Sequence, residues 1–318
     1  MTEDEQDALY ADRNPLTGIM FKVVSVAAFV GMASLIKAAG RVPAGEIVFF
    51  RSAFALLPIF ILLAWRRELR TALHTSRPVS HILRGLVGVT SMGLGFFALT
   101  RLPLPEAITL NYAQPLLVVL FSAVFVGEVV RLYRWSAVIV GLVGVIIISW
   151  PNLTLFTSGA GLESDQALGV TAALLAAAVS AIAMLLVRRL VHSERTATIV
   201  LWFSLTSTVA ALGTIPFGWI ALSPMQTACL VGAGICGGVG QILMTESYRH
   251  APLSTIAPFE YTSMMLAILV GYFAFGDVPT IYTLVGGTIV IGAGLFIIWR
   301  EQRLGLQRGK ARKVTPPS

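Results

Sequence analysis

Residues 252–277 read PLSTIAPFEYTSMMLAILVGYFAFGD, and residues 103–128 read PLPEAITLNYAQPLLVVLFSAVFVGE. The two stretches align without a gap, so that Asn111 corresponds to Glu260. Both are largely apolar and exceed the roughly 20 residues that a helix needs to cross a bilayer core about 30 Å thick. The pattern predicts two related membrane-spanning segments in different halves of one chain.

The 318-residue chain as a whole has the same character, with 56% hydrophobic and 12% charged residues, which is unusual for a soluble domain. Apolar runs of suitable length predict ten spans, at 16–39, 45–65, 81–100, 103–126, 134–150, 168–187, 197–217, 225–247, 252–275 and 280–299. The fifth run is short and the third begins with His81 and Arg84, so nine spans is the alternative. We predict ten because the repeat requires an even number.

Each half of the chain holds five predicted spans, and because five is odd the second half enters the membrane from the opposite side. Secondary transporters often use such inverted repeats around a site near the midplane. We therefore expect an all-α integral membrane protein with ten transmembrane helices in two inverted five-helix repeats. The expected organisation is an acidic cytoplasmic tail at 1–15, a first repeat at 16–150, an external linker at 151–167, a second repeat at 168–299 and a basic cytoplasmic tail at 300–318.

The distribution of basic residues predicts the orientation. In this topology 17 of the 23 Lys and Arg fall in the termini and loops of one side, whereas the opposite loops hold only Arg41 and Arg101. The positive-inside rule then makes both termini cytoplasmic. The acidic amino-terminal segment lacks the basic n-region of a signal peptide, so we expect the first span to be retained. Orientation accounts for the net charge, and nucleic acid is not an expected partner.

Motifs for catalysis are missing from the sequence. It contains no P-loop, and GAGICG at 232–237 lies in an apolar span rather than after a strand. The four histidines lie near predicted span ends, so we expect no catalytic residues, no metal site and no cofactor. A membrane-embedded lipid enzyme is the alternative from a different class. The expected partners are a small-molecule substrate and the lipid bilayer, and the expected state is a monomer or a homodimer.

Several predicted spans contain polar residues, although an ionisable group at the bilayer centre costs roughly 2.5 to 3.5 kcal/mol. Those near span ends, where they can reach the interface, are Lys37, Glu46, Arg84 and Glu246. Lys22 is at intermediate depth. The deeper residues, which need protein or water partners, are Arg51, Asn111, Gln114, Gln241 and Glu260.

The deeper residues form two related stripes. Gln114 and Ser263 follow Asn111 and Glu260 by three residues, which keeps each pair near one helix face. The predicted substrate-binding residues are Asn111, Tyr112, Gln114, Gln241, Glu260, Tyr261, Ser263 and Arg51. One alternative is that they form buried hydrogen bonds between helices without a functional role. Another is that Glu260 forms a structural or coupling ion pair with Arg51 or Lys22.

Short motifs add a family resemblance. They are FFR at 49–51, HILRG at 81–85, and the GE and GD pairs at 127–128 and 276–277. With the repeat, they make the chain resemble a ten-helix drug/metabolite transporter of the EamA type. Within that superfamily, VPAGEIVFFRSAFALLP at 42–58 looks most like the bacterial riboflavin transporters, and next like the S-adenosylmethionine transporters.

This resemblance implies a secondary transporter of the bacterial inner membrane that works by alternating access, with riboflavin uptake as the first substrate prediction. In a riboflavin transporter, the flat ring would stack on Tyr112 or Tyr261. The alternatives are S-adenosylmethionine or another cationic or zwitterionic metabolite, with Glu260 facing the cation and Arg51 a carboxylate. An exporter of amino acids or drugs that cycles a proton on Glu260 is a third possibility.

Overall fold

The computed structural model describes residues 15–69, 71–126, 132–157, 165–191, 194, 196–250 and 257–314, and its regular elements there are all helical. The helices are α1 (Pro15–Ala38), α2 (Ala44–Trp65), α3 (Pro78–Leu99), α4 (Leu104–Asn111), α5 (Ala113–Val126), α6 (Leu132–Thr157), α7 (Asp165–Val191), α8 (Thr196–Leu212), α9 (Pro224–His250), α10 (Thr262–Val270) and α11 (Ile281–Val314). Short 3-10 turns cover Ile215–Phe217 and Ala257–Tyr261, and a π-helical turn covers Gly271–Phe275. Most of the predicted acidic tail, part of the predicted linker, the GE pair and residues 251–256 lie outside the described residues.

Five helices of the described chain are long and apolar enough to cross a membrane, namely Leu16–Ala38, Ala44–Trp65, Pro78–Leu99, Asp165–Val187 and Pro224–Met244. They confirm the predicted first, second, third, sixth and eighth spans. Shorter apolar helical stretches lie at Trp135–Ile148, Ala197–Leu212, Phe259–Phe275 and Ile281–Ile297, within other predicted spans. The total of ten spans and the inverted repeat stay predictions. Helix α6 continues to Thr157 and α11 to Val314, beyond the predicted spans.

The predicted span 103–126 is interrupted at Tyr112, where α4 ends and α5 begins. The cause lies three residues further on, because Pro115 has no amide hydrogen and its ring crowds the carbonyl group of Asn111. The related segment 252–275 changes geometry at the equivalent tyrosine, since the 3-10 turn ends at Tyr261 and α10 follows. Both segments therefore consist of short helical pieces joined at a tyrosine.

The helices pack in pairs that bring the two halves of the chain together. Helix α1 packs along α9 and α3 along α7, while α6 packs along α11 and α2 contacts both α8 and α9. Their buried faces form separate apolar clusters, one containing Leu110 and Ile148 and another containing Ile47 and Leu230. Large apolar side chains such as Met265 are exposed on the outer surface, as expected for helices in contact with lipid.

Two glycines, one on α6 and one on α11, allow the backbones of these helices to approach each other closely. A Cβ atom on Gly286 would lie 2.5 Å from the backbone oxygen of Gly144, and a Cβ atom on Gly144 would lie 2.8 Å from the backbone oxygen of Gly286. Small residues allow helix backbones to come this close in membranes. No side chain can be added at this crossing without moving one helix away from the other.

We therefore expect Gly286→Ala to lower the thermal stability of the detergent-solubilised protein, by about 1 to 3 kcal/mol as for other overpacked sites. Gly292→Ala, on the same helix, is the control, because nothing lies within 4 Å of its added Cβ atom. The control should keep or raise the melting temperature, since alanine favours helix by about 1 kcal/mol. Equal melting temperatures for the two variants would show that the glycine crossing is not tightly packed.

Candidate functional site

A buried lysine and a half-exposed glutamate form an ion pair between α1 and the 3-10 turn Ala257–Tyr261. Lys22 Nζ donates a hydrogen bond to Glu260 Oε2. The side chain of Lys22 is 3% exposed, whereas that of Glu260 is 49% exposed. Of the two cations that the sequence offered to Glu260, the structure therefore places Lys22 against it. The result is an accessible carboxylate held next to a buried ammonium group.

Next to this pair, the two predicted tyrosines are in contact. The rings of Tyr112 and Tyr261 meet edge to face with their centroids 5.2 Å apart, within the favourable range for aromatic pairs. Ser263 Oγ donates to the backbone oxygen of Glu260 at 2.7 Å, so the Tyr112 hydroxyl donates to Ser263 Oγ, 2.5 Å away. The structure thus brings together Tyr112, Tyr261, Ser263 and Glu260 from the two related stretches.

The predicted amides differ in exposure. Asn111 is exposed at the end of α4, whereas Gln114 and Gln241 are partly buried. Gln241 follows Gly237 by about one turn on α9. A Cβ atom on Gly237 would lie 3.3 Å from Arg51 Nε, so Arg51 packs on α9 close to the turn that carries Gln241. Arg51 and Lys22 consequently contact different partners.

Arg51 has a second arginine, Arg84, as a neighbour. The guanidinium carbons of Arg51 and Arg84 lie 5.8 Å and 3.8 Å from the centroid of the Phe203 ring, and Arg84 Nε and Nη1 are buried. Helix α3 begins at Pro78, because proline is favourable at the first helical position. Arg84 therefore lies six residues after the first residue of the helix, and its place at the membrane interface stays a prediction. No local signal in the sequence marked the contact with Phe203.

A second charged network joins the end of α1 to the start of α4. Lys37 Nζ donates to Asp277 Oδ2 at 2.5 Å and to the backbone oxygen of Leu102 at 3.1 Å. The same Asp277 oxygen accepts a hydrogen bond from the backbone nitrogen of Leu104 at 3.0 Å. Asp277 thereby satisfies one of the free amide groups of the first α4 turn. This pairing agrees with the expectation that Lys37 finds a partner near a span end.

A pocket with a volume of about 350 Å³ lies between α6 and α11, away from these residues. It is lined by apolar residues such as Val140, Ile289 and Phe296. It contains none of the predicted substrate-binding residues. In the part of the chain that the structure describes, no three His, Cys, Asp or Glu side chains are grouped to hold a metal ion. The chemistry available at the candidate site is therefore charge, hydrogen bonding and aromatic contact.

Known proteins are similar to this chain in sequence and in fold. The sequence profile of the EamA-like transporter family matches residues 16–150 and again residues 167–300. A crystal structure of a protein 20% identical in sequence superposes with a TM-score of 0.62 over 90% of this chain and 98% of its own. At that identity the superposition shows the fold alone.

Curated relatives carry three different substrate names. The pseudopaline exporter CntI of Pseudomonas aeruginosa is 29% identical over 87% of this chain and 94% of its own. The S-adenosylmethionine uptake transporter of Rickettsia conorii is 25% identical over 91% of this chain and 94% of its own. The riboflavin transporter of Rhizobium johnstonii is 29% identical over 82% of this chain and 83% of its own. The names agree on transport and differ in substrate and direction.

We expect Asp277→Ala to lower the melting temperature of the solubilised protein, because it removes both the partner of Lys37 and the acceptor for Leu104. Loss of a helix cap typically costs about 1 kcal/mol, with a range of roughly 0.5 to 2. The matched control is Asp165→Ala, since the pair of Asp165 with Arg41 is exposed and exposed pairs contribute about 0 to 1 kcal/mol. A loss of stability no greater than in the control would exclude a structural role for the Asp277 network.

Proposed function

The chain belongs to the EamA-like transporter family, and we propose that it moves a small organic metabolite across the bacterial inner membrane by alternating access. The observation that carries this proposal is the half-exposed carboxylate of Glu260, held against buried Lys22 inside otherwise apolar helical segments. A charge at such a place is costly. A pathway for a polar solute or a coupling ion accounts for its exposure.

The proposed topology has ten spans in two inverted repeats, at 16–150 and 168–299, with both termini in the cytoplasm. Two observations support it. The family profile matches the chain twice, and the first helix of each half, α1 and α7, packs on the third helix of the other half. Inverted repeats can alternate between two related packings, each open to a different side of the membrane. The sequence contains no P-loop, so the proposed energy source is a gradient or consumption of the substrate in the cell.

The proposed substrate-contacting groups are the tyrosine pair, Glu260 and Ser263, together with Asn111, Gln114, Gln241 and Arg51. Aromatic rings with a few placed polar groups are the usual lining of a small-molecule site. The edge-to-face contact of Tyr112 and Tyr261 presents a ring on which a flat heterocycle can stack. Both riboflavin and S-adenosylmethionine contain such a heterocycle. Glu260 can contact a cationic group or carry a coupling proton.

Two substrates follow from these groups and from the relatives. Riboflavin is favoured by the resemblance of residues 42–58 and by relatives named as riboflavin transporters, including one of Vibrio cholerae. S-adenosylmethionine is favoured by its positive charge, which suits the Glu260 carboxylate, and by the Rickettsia relatives. The pseudopaline exporter leaves export as the alternative direction. The proposed oligomeric state is a monomer or a homodimer.

The decisive test is uptake of radiolabelled riboflavin and, separately, of radiolabelled S-adenosylmethionine into proteoliposomes that contain the purified chain. We expect one of them to accumulate above protein-free vesicles and to be displaced by its own unlabelled form. A riboflavin-auxotrophic bacterium that expresses the chain gives a second readout for riboflavin. Absence of uptake for both compounds, with the protein shown to be inserted, would reject both substrates.

For the carboxylate, we expect Glu260→Gln to lower the rate of uptake at least tenfold, because the amide keeps the shape but can neither balance a cation nor exchange a proton in the physiological range. Glu246→Gln is the matched control, since Glu246 also pairs with a cation, Arg66, at 2.7 Å. The integrity of both purified variants is checked by their elution as single species from a sizing column, and their insertion by the amount of protein recovered in the proteoliposomes. Wild-type uptake by the Glu260 variant would reduce Glu260 to a structural partner of Lys22.

A further inference from the structure

Two arginines from different helices converge on one aromatic ring. Arg51 on α2 and Arg84 on α3 place their guanidinium carbons 5.8 Å and 3.8 Å from the ring centroid of Phe203 on α8. Both distances lie within the range of cation–π attraction. The positive charge of Arg51 also acts on the Arg84 guanidinium. The Phe203 ring therefore attracts two guanidinium groups whose like charges repel each other.

Both arginines have buried guanidinium nitrogens, and part of their hydrogen-bonding capacity is unused. Arg51 is 7% exposed. Within the described residues, Arg51 Nε and both Nε and Nη1 of Arg84 are buried without a hydrogen-bond partner, and neither arginine takes part in an ion pair. Buried charges are normally paired, because an uncompensated one costs several kcal/mol. Two such groups side by side have the charge and the free donors to bind an anion.

Close packing on glycines holds the two arginines and the Phe203 ring in place. Arg51 Nε packs against the backbone of α9 at Gly237, where a Cβ atom would lie 3.3 Å from Nε and 2.9 Å from the sulfur of Met32. The Phe203 ring packs against Gly88 of α3, where a Cβ atom would lie 2.7 Å from a ring carbon. The glycines bring neighbouring helices close around the arginines, so the positions of the arginines are fixed by packing. Such fixed donors suit a planar oxyanion, which a guanidinium binds through two parallel hydrogen bonds.

We propose that Arg51 and Arg84 together bind the oxyanion of the transported substrate, with Phe203 holding both guanidinium groups in place. This inference deepens the proposed transport function and rests on it. It names the substrate class as a metabolite with a carboxylate. Riboflavin has no anionic group, whereas S-adenosylmethionine carries a carboxylate and positive charges.

The first test measures anion binding without assuming a substrate. The melting temperature of the purified full chain in detergent is followed as sodium sulfate replaces sodium chloride at constant ionic strength, sulfate serving as a simple oxyanion. Sulfate also stabilises proteins by exclusion from their surface, but this effect is shared by all variants. We expect a larger rise for the wild type than for Arg51→Gln or Arg84→Gln, and a wild-type rise for Arg41→Gln, which alters an exposed ion pair.

Lysine variants keep the test decisive if a glutamine variant does not fold. Arg51→Lys and Arg84→Lys retain the charge but lose the planar fork, so we expect an intermediate response to sulfate. The melting temperature without sulfate is a second readout. Because the unpartnered guanidinium nitrogens have no hydrogen bond to lose, removal of one of two repelling charges should leave this temperature unchanged or raise it. An equal sulfate response in all variants, or a loss of stability typical of a broken ion pair, would overturn the proposal.

The second test compares S-adenosylmethionine with its decarboxylated analogue in proteoliposomes. We expect the wild type to prefer the carboxylated compound at least tenfold in kcat/KM, and Arg84→Gln to abolish the preference mainly through KM. Equal uptake of both compounds by the wild type would overturn the oxyanion site. A sulfate response that depends on the arginines, with no uptake of any compound, would instead support the anion site and count against the proposed transport function.

Discussion

A bilayer core offers no hydrogen-bond partner to a polar group, and this constraint explains both the helices and the few contacts that differ from ordinary apolar packing. The described backbone satisfies itself through helical hydrogen bonds. Every charge inside the bundle must then find protein or water. Lys22 finds Glu260, and Lys37 finds Asp277 and a backbone oxygen. Among the described residues, Arg51 and Arg84 have no carboxylate partner and share the face of an aromatic ring, and in this the pair differs from the two lysines.

The sequence predicted helical boundaries well where a long apolar run ends in polar residues, as at Ala38 and Trp65. It predicted them less well where proline acts. Pro115 divides a predicted continuous span, and Pro78 starts α3 earlier than its apolar run suggests. The second difference lengthens the helix before Arg84 by three residues, which correspond to about 4.5 Å. Hydrophobicity alone therefore placed the start of this helix too late.

Part of the candidate site was also predictable. The alignment of 103–128 with 252–277 related Tyr112 to Tyr261, and these two rings are in direct contact. The contact of Phe203 with two arginines was not predictable, because it depends on the side-chain directions of three helices that are far apart in sequence. The choice of Lys22 rather than Arg51 as the partner of Glu260 depended in the same way on tertiary packing. An internal repeat shows which positions of the two halves are equivalent, but it does not show which non-equivalent residues contact each other.

The glycine crossing of α6 and α11 restricts how the bundle can move. Because each glycine backbone lies against the other, turning either helix about its own axis would bring a larger neighbour, such as Val143, Val145 or Val285, towards the crossing. We therefore infer that α6 and α11 move together as one unit in the proposed transport cycle. A chemical cross-link between α6 and α11 at this level would then be compatible with that cycle.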